Sequence, residues 1–145
     1  MEIVELKAEE YEQIDVLWKK LNRLHGKLSQ NFKRYFAAFT FEKRMKSLLC
    51  KEHKTIYVAQ DDKGKFIGYC IASIDRGKGE IDSIYIEPRY RKQGIGRSLI
   101  QNSLDWLRAK QCETIHIYVA EGNESALDFY KQFGFLKRFV VLQNQ

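Results

Sequence analysis

The chain has 145 residues, a length that fits one domain spanning residues 1–145. Hydrophobic residues make up 44%, aromatic 13% and charged 30%, with 9 Gly and 1 Pro, which excludes disordered, collagen-like and Pro-rich chains. The net charge of +6, from 25 basic against 19 acidic residues, implies an anionic partner, and no run approaches the roughly 20 apolar residues of a membrane helix.

Residues 2–7 read as a short strand. From Ala8 the period changes: Tyr11, Ile14, Leu17, Trp18, Leu21, Leu24 and Leu28 line one helix face. Residues 29–39 are less regular. Thr40 is a plausible N-cap for a second helix carrying Phe41, Met45, Leu48 and Leu49. Strands are expected at 55–59 and 66–74, joined by the turn Asp61-Asp62-Lys63-Gly64. A third strand, 80–87, stops at Pro88. Ile95, Leu99, Ile100, Leu104 and Leu107 return to helical spacing. A strand at 114–120, a helix at 123–133 closed by Gly134, and a last strand at 139–142 complete the chain. The order β-α-α-β-β-β-α-β-α-β predicts an α/β (α+β) domain: a mixed, mainly antiparallel twisted sheet with helices on both faces.

The N-terminus has no basic region followed by an apolar one, so no signal peptide is expected. Cys50, Cys70 and Cys112 are widely spaced and odd in number, which suits free thiols in the cytoplasm. His25, His53 and His116 do not join them at metal-ligand spacing, so no metal is expected.

The chemistry concentrates after the third strand. Arg89, Arg91, Lys92 and Arg97 surround Gly94 and Gly96 in a loop that enters a helix. Glycines let backbone approach a ligand, and the unpaired amides of a helix N-terminus attract anions, so this is a phosphate cradle. A P-loop and a dinucleotide fingerprint both fail; Leu99 stands where the latter needs glycine. The run instead reads R-x-x-G-x-G from Arg91 through Gly94 to Gly96. Downstream, Asn123 to Phe135 reads N-x-x-A-x-x-F-Y-x-x-x-G-F.

These two segments resemble motifs A and B of the GCN5-related N-acetyltransferase (GNAT) family. The resemblance implies an acetyl-CoA-dependent N-acetyltransferase fold and activity, with acetyl-CoA as cosubstrate and direct attack by a primary amine. It implies cofactor contacts from Ile84, Tyr85 and Ile86 on the strand. It adds Arg91, Lys92, Gln93, Gly94, Ile95, Gly96, Arg97 and Ser98 in the loop and first helical turn. Asn123 is expected to cap its helix and, through the resemblance, to touch the pantetheine arm.

An alkyl ammonium with pKa of about 10.4 must lose a proton before it attacks. Glu80 is the first candidate base; in the histone acetyltransferase branch a catalytic Glu occupies the matching position. Strand alternation places Glu80, Asp82, Ile84 and Ile86 on one face if no bulge intervenes, making Asp82 a competitor or a partner through water. The plain structural role for either is a sheet-face carboxylate paired with Lys or Arg. Tyr130 is the candidate acid for the departing sulfur; its plain role is helix packing.

The acceptor site is expected between the N-terminal helices, residues 25–40, where Phe32, Tyr35, Phe36 and Phe39 accompany Lys27, Lys33 and Arg34. The positive local charge favours an acceptor carrying carboxylate or phosphate over a polyamine. Three functions follow: acetylation of a small-molecule amine, acetylation of a protein N-terminus or lysine, and non-catalytic acyl-CoA binding. Neither membrane nor nucleic acid is expected as a partner. The resemblance allows a homodimer, with the strand at 139–142 as an edge.

Overall fold

The computed structural model describes residues 1–144. Its five-stranded sheet follows chain order: β1 (Glu2–Glu5), β2 (His53–Gln60), β3 (Phe66–Asp75), β4 (Lys78–Ile86) and β5 (Thr114–Ile117). The first four strands pair antiparallel, and β5 joins β4 in parallel. The crossover between those two strands is the helix that later elements call α4 (Ile95–Ala109). Before β2 come α1 (Asp15–Leu28), α2 (Lys33–Ala38) and α3 (Phe41–Leu49); α5 (Ala126–Lys131) follows β5.

The sheet divides the core in two. On one face Ile56, Val58, Tyr69, Ile71 and Tyr85 meet Leu17 and Trp18 of α1 and Phe41 and Leu48 of α3. On the other, Ile67, Cys70, Ala72 and Ile81 meet Ile95, Leu99, Ile100, Leu104 and Leu107 of α4. The helical spacing of those α4 side chains is the reason it lies flat on β3 and β4. Each fully buried Leu or Ile contributes about 2 kcal/mol of transfer free energy. α5 joins this second face through Phe129 and Tyr130, and Phe133 just after it packs there as well.

Several expectations are corrected. The first helix starts as a 3₁₀ segment, Ala8–Ile14, before α1. Tyr11 and Ile14 are both buried, and a three-residue spacing suits three residues per turn. The irregular segment contains α2, and β5 is four residues long. Asn123 does not cap α5: Ser125 is the N-cap, and the Asn123 carbonyl accepts the Ala126 N–H at 3.0 Å. Residues 139–142 form no strand; Phe139, Val140, Val141 and Leu142 are exposed and find no ladder partner among the described residues. Their β propensity is local, whereas a strand requires a neighbour.

The most consequential correction lies in β4. Ile71 pairs with Ser83, but Ala72 pairs with Ile81, so Asp82 is an extra residue opposite none. This β-bulge reverses the alternation beyond it. Ile84 and Ile86 pack toward α4, as does Ile81. Glu80 instead pairs with Ser73, whose hydroxyl donates to both Asp82 oxygens at 2.8 and 3.0 Å. Ser83 meets the Tyr69 hydroxyl at 2.7 Å in the α1-side core. The single face expected for Glu80, Asp82, Ile84 and Ile86 therefore splits, and both carboxylates turn toward the N-terminal helices.

Candidate active site

β5 pairs with β4 only from Lys78 to Ile81. Beyond that point the two strands separate, and one edge of β4 is left open. The Glu87 N–H donates to the Ile67 carbonyl across the β3 side. By strand alternation the peptide groups of Ile86 and Ile84 point the other way, into the gap. The Ile86 carbonyl there accepts Arg91 Nε at 2.8 Å. An unpaired strand edge is a template for an extended ligand. Tyr85, by contrast, directs its ring into the α1-side core.

The gap opens into a cavity of about 290 Å³ lined by Glu80, Asp82, Ile84, Asn123 and Tyr130. β4, the loop after β5 and α5 thus bring five of the expected site residues together. The opposite wall comes from α1, α2 and α3: Trp18, Asn22, His25, Tyr35, Phe36, Phe39 and Arg44. The aromatic rings brace one another. Tyr35 stacks on Phe39 at 5.7 Å, and Trp18 meets Phe39 edge-on at 5.7 Å. Asn22 holds α2 in place by donating to the carbonyls of Phe36 and Phe39 at 2.8 and 3.0 Å. Phe32 and the cations Lys27, Lys33 and Arg34 do not line the cavity.

Burial sets the acid–base character. It pushes the Asp82 carboxyl up to about 7, aided by the neighbouring Glu80 charge and opposed by the Ser73 hydroxyl, Arg44 and Lys51. Glu80 is also raised, chiefly by burial, with Lys51, Arg44 and His116 opposing. Two carboxylates sharing one partly dry site hold a proton near neutral pH more readily than either would alone. Tyr130 is raised above its usual value by burial, so its phenol stays protonated. Among the described residues that hydroxyl makes no hydrogen bond; the ring is held by Phe129 at 5.4 Å and Phe135 at 6.4 Å. His25 is lowered by burial and by Arg44, so it is a neutral imidazole.

The glycine loop lies at the end of the open β4 edge. Gly94 is the N-cap of α4 at φ 82°, and Lys92 is also left-handed at φ 63°. A Cβ on Gly94 would meet nothing within 4 Å, so that glycine serves the backbone path and leaves open space above it. Gly96 answers to packing: a Cβ there would lie 3.2 Å from Phe129 Cζ and 3.3 Å from Ile86 Cδ1. The basic side chains lean aside. Arg91 lies over the Tyr85 ring at 5.4 Å, and Arg97 donates to Gln132 Oε1 at 2.8 Å. Gln93 donates to the Arg89 carbonyl at 3.3 Å, Ile95 is buried, and the Ser98 N–H closes the first helical turn on Gly94. The first amides of α4 are thereby left bare, flanked by cations, which is the donor set a pyrophosphate requires. Among the described residues no cluster of His, Cys, Asp and Glu is suited to a metal ion, and no helix is long and apolar enough to cross a membrane.

Sequence reasoning missed a clasp that ties the segment between α1 and α2 to the loop after β5. The Glu121 carboxylate accepts the backbone N–H of Gln30 at 2.9 Å and of Asn31 at 2.8 Å. These hydrogen bonds hold its carboxyl below the ordinary range. Ser29, buried, donates to Glu121 at 3.3 Å and accepts the Phe32 N–H at 2.9 Å. Gly122, at φ 95°, leaves room for the Leu28 carbonyl, which would lie 2.3 Å from any Cβ. The only sequence signal is a Glu-Gly pair after β5, which has no meaning without the loop it meets.

Comparison with known proteins agrees with this fold. The sequence profile of the Acetyltransferase (GNAT) family matches residues 17–135. An N-alpha-acetyltransferase of Sulfurisphaera tokodaii is 28% identical over 138 residues, covering 86% of this chain and 75% of that protein. The [ribosomal protein bS18]-alanine N-acetyltransferase of Escherichia coli is 28% identical over 72 residues, 50% of this chain and 49% of the enzyme. The chain spans about half the length of several of the curated relatives it matches. An aminoglycoside N-acetyltransferase solved with CoA superposes with a TM-score of 0.69 at 19% identity, covering 99% of each chain, which shows a shared fold. Over the matched span of residues 17–135, this chain belongs to the GNAT acetyltransferase family.

Proposed function

We propose that the protein is an acetyl-CoA-dependent N-acetyltransferase, a single cytoplasmic domain that acetylates the primary amine of a small molecule. One observation carries the reading: Glu80, Asp82, Tyr130 and Asn123 converge on one cavity beside the open β4 edge that leads to the Gly94 cradle. Three free cysteines fit a reducing compartment, and burial pushes Cys70 up to about 12, which makes it inert.

Acetyl-CoA supplies an activated thioester. The α4 amides and the flanking arginines hold its phosphates. The Ile84 and Ile86 peptide groups pair with its pantetheine arm as an added strand, and a donor N–H on that edge polarises the acyl oxygen. Asn123 borders the same channel. Asp82, assisted by Glu80, takes one proton from the incoming ammonium, so that the neutral nitrogen attacks the acyl carbon. The C–N bond forms and the C–S bond breaks. Tyr130 gives its proton to the departing sulfur and recovers one from the nitrogen, so the turnover yields amide, thiol and one proton to solvent.

The cavity volume of about 290 Å³ favours a small acceptor. A protein N-terminus is the second reading, favoured by the names of the Sulfurisphaera N-alpha-acetyltransferase and the Escherichia [ribosomal protein bS18]-alanine N-acetyltransferase. Thiol release from acetyl-CoA across amino acids, amino sugars, polyamines, aminophosphonates and short peptides tests both. Turnover with a small amine supports the first reading, and turnover with peptides alone replaces it by the second. Acetyl-CoA binding without turnover of any amine leaves a non-catalytic binding module.

A further inference from the structure

The cavity holds a cation with no close ion-pair partner. Arg44, on α3, lines it together with Glu80 and Asp82, whose carboxyls its charge acts on from beyond ion-pair distance. Its Nε is buried and has no hydrogen-bond partner. Among the described residues Arg44 forms no ion pair within 4.0 Å, although Glu80 and Asp82 line the same space. Its side-chain contact is the Phe39 ring, 5.1 Å from the guanidinium carbon. A buried charged donor left unpaired is costly, and such a group in a concave site is aimed at something absent from the free protein. The fork of a guanidinium matches a carboxylate or phosphate.

Nothing else in the cavity competes for that role. His25 beside it is held neutral, and Lys33 spends its ammonium on the carbonyls of Gly26 and Lys27 at 3.0 Å each. The cavity therefore carries a cation at Arg44 and, more than 4.0 Å from it, the acidic pair Asp82 and Glu80. Resting on the acetyltransferase reading, we infer that the acceptor is a small amine that also carries an acidic group, with its carboxylate or phosphonate on Arg44 and its amine toward Asp82. The aromatic side chains of the same cavity fit an apolar or planar spacer, and its volume of about 290 Å³ suits a small molecule.

Matched acceptors differing only in the anion test this: 4-aminobutanoate against its methyl ester, 4-(aminomethyl)benzoate against benzylamine, and 2-aminoethylphosphonate against propylamine. Thiol release is read with wild type, Arg44→Gln and Arg44→Lys, alongside acetyl-CoA affinity by calorimetry and near-UV circular dichroism as a check of fold. At least a tenfold preference in kcat/KM for an acidic member is expected in wild type. Arg44→Gln abolishes it mainly through KM, Arg44→Lys retains part, and acetyl-CoA affinity is unchanged. Where Arg44→Gln fails to fold, the wild-type ratios and Arg44→Lys decide. Equal or better use of the neutral partners overturns the inference while leaving the acetyltransferase reading intact. So does a preference that survives Arg44→Gln, or turnover of peptides alone. Where no amine turns over, calorimetry of the acidic set against CoA-saturated protein decides, and absence of binding also overturns it. Failure to bind acetyl-CoA overturns the reading beneath it.

Discussion

Replacing Asp82 with Asn separates stability from catalysis. Between pH 3.8 and about 7 the folded protein keeps the Asp82 proton that the unfolded chain has released. Unfolding in that window frees a proton, so stability is fully present at low pH and falls as pH rises toward 7. The gap between 3.8 and about 7 corresponds to at most about 4 kcal/mol. Water entering the cavity and the coupling to Glu80 reduce this, and about 2 kcal/mol is expected. The Asn side chain still accepts the Ser73 hydroxyl and cannot ionise. Urea unfolding at pH 8 should therefore find Asp82→Asn more stable than wild type by about 2 kcal/mol, with the difference closing toward pH 4. In the same variant kcat should drop about 100-fold or more, and the wild-type rise in kcat with an apparent pKa near 7 should disappear. A stability gap that does not change with pH refutes the burial argument. Wild-type turnover in the variant removes Asp82 as the base and leaves Glu80 or solvent.

Gly94→Glu should abolish acetyl-CoA binding in calorimetry by placing bulk and negative charge over the cradle. Its left-handed backbone costs about 1–2 kcal/mol of stability, which leaves the protein folded; unchanged affinity refutes the loop assignment. Tyr130→Phe should lower kcat about 100-fold with acetyl-CoA affinity and thermal midpoint close to wild type, because its hydroxyl has no partner among the described residues. Undiminished turnover excludes it as the acid. Gly122→Ala should destabilise the fold by about 2–4 kcal/mol and raise the acceptor KM more than it weakens acetyl-CoA binding, since its Cβ would lie 2.3 Å from the Leu28 carbonyl. Urea unfolding and steady-state kinetics check it, and unchanged stability refutes the clasp.

Local chemistry explains what the sequence made legible. The Gly94 loop needed only a strand end, a left-handed glycine and a helix start, all within neighbouring residues. The strand order followed from short turns, and α4 from its apolar spacing. What escaped depends on distant partners. Val140 and Val141 have strand propensity and, among the described residues, no strand to pair with. Glu121 reads as an ordinary loop acid until Gln30 and Asn31 arrive beside it. Arg44 reads as a surface helix cation, and only the packing of α3 over the β4–β5 gap turns it into a cavity wall.

The bulge at Asp82 shows how far a single non-local feature reaches into the chemistry. A regular strand would carry Glu80 and Asp82 on the same face as Ile84 and Ile86, under α4 and away from the aromatic wall. The extra residue reverses the phase at one point. Ile84 and Ile86 keep their side chains on the α4 core and their peptide groups on the open edge, while Glu80 and Asp82 face the cavity. On the proposed mechanism, one strand then presents a backbone ladder to the acetyl donor and carboxylates to the amine. Ser73 pins the bulge by donating to both Asp82 oxygens, so the residue that distorts the strand is also fixed in orientation. The distortion is thus a means of placing two carboxylates a short step from a strand edge whose regular geometry would have hidden them.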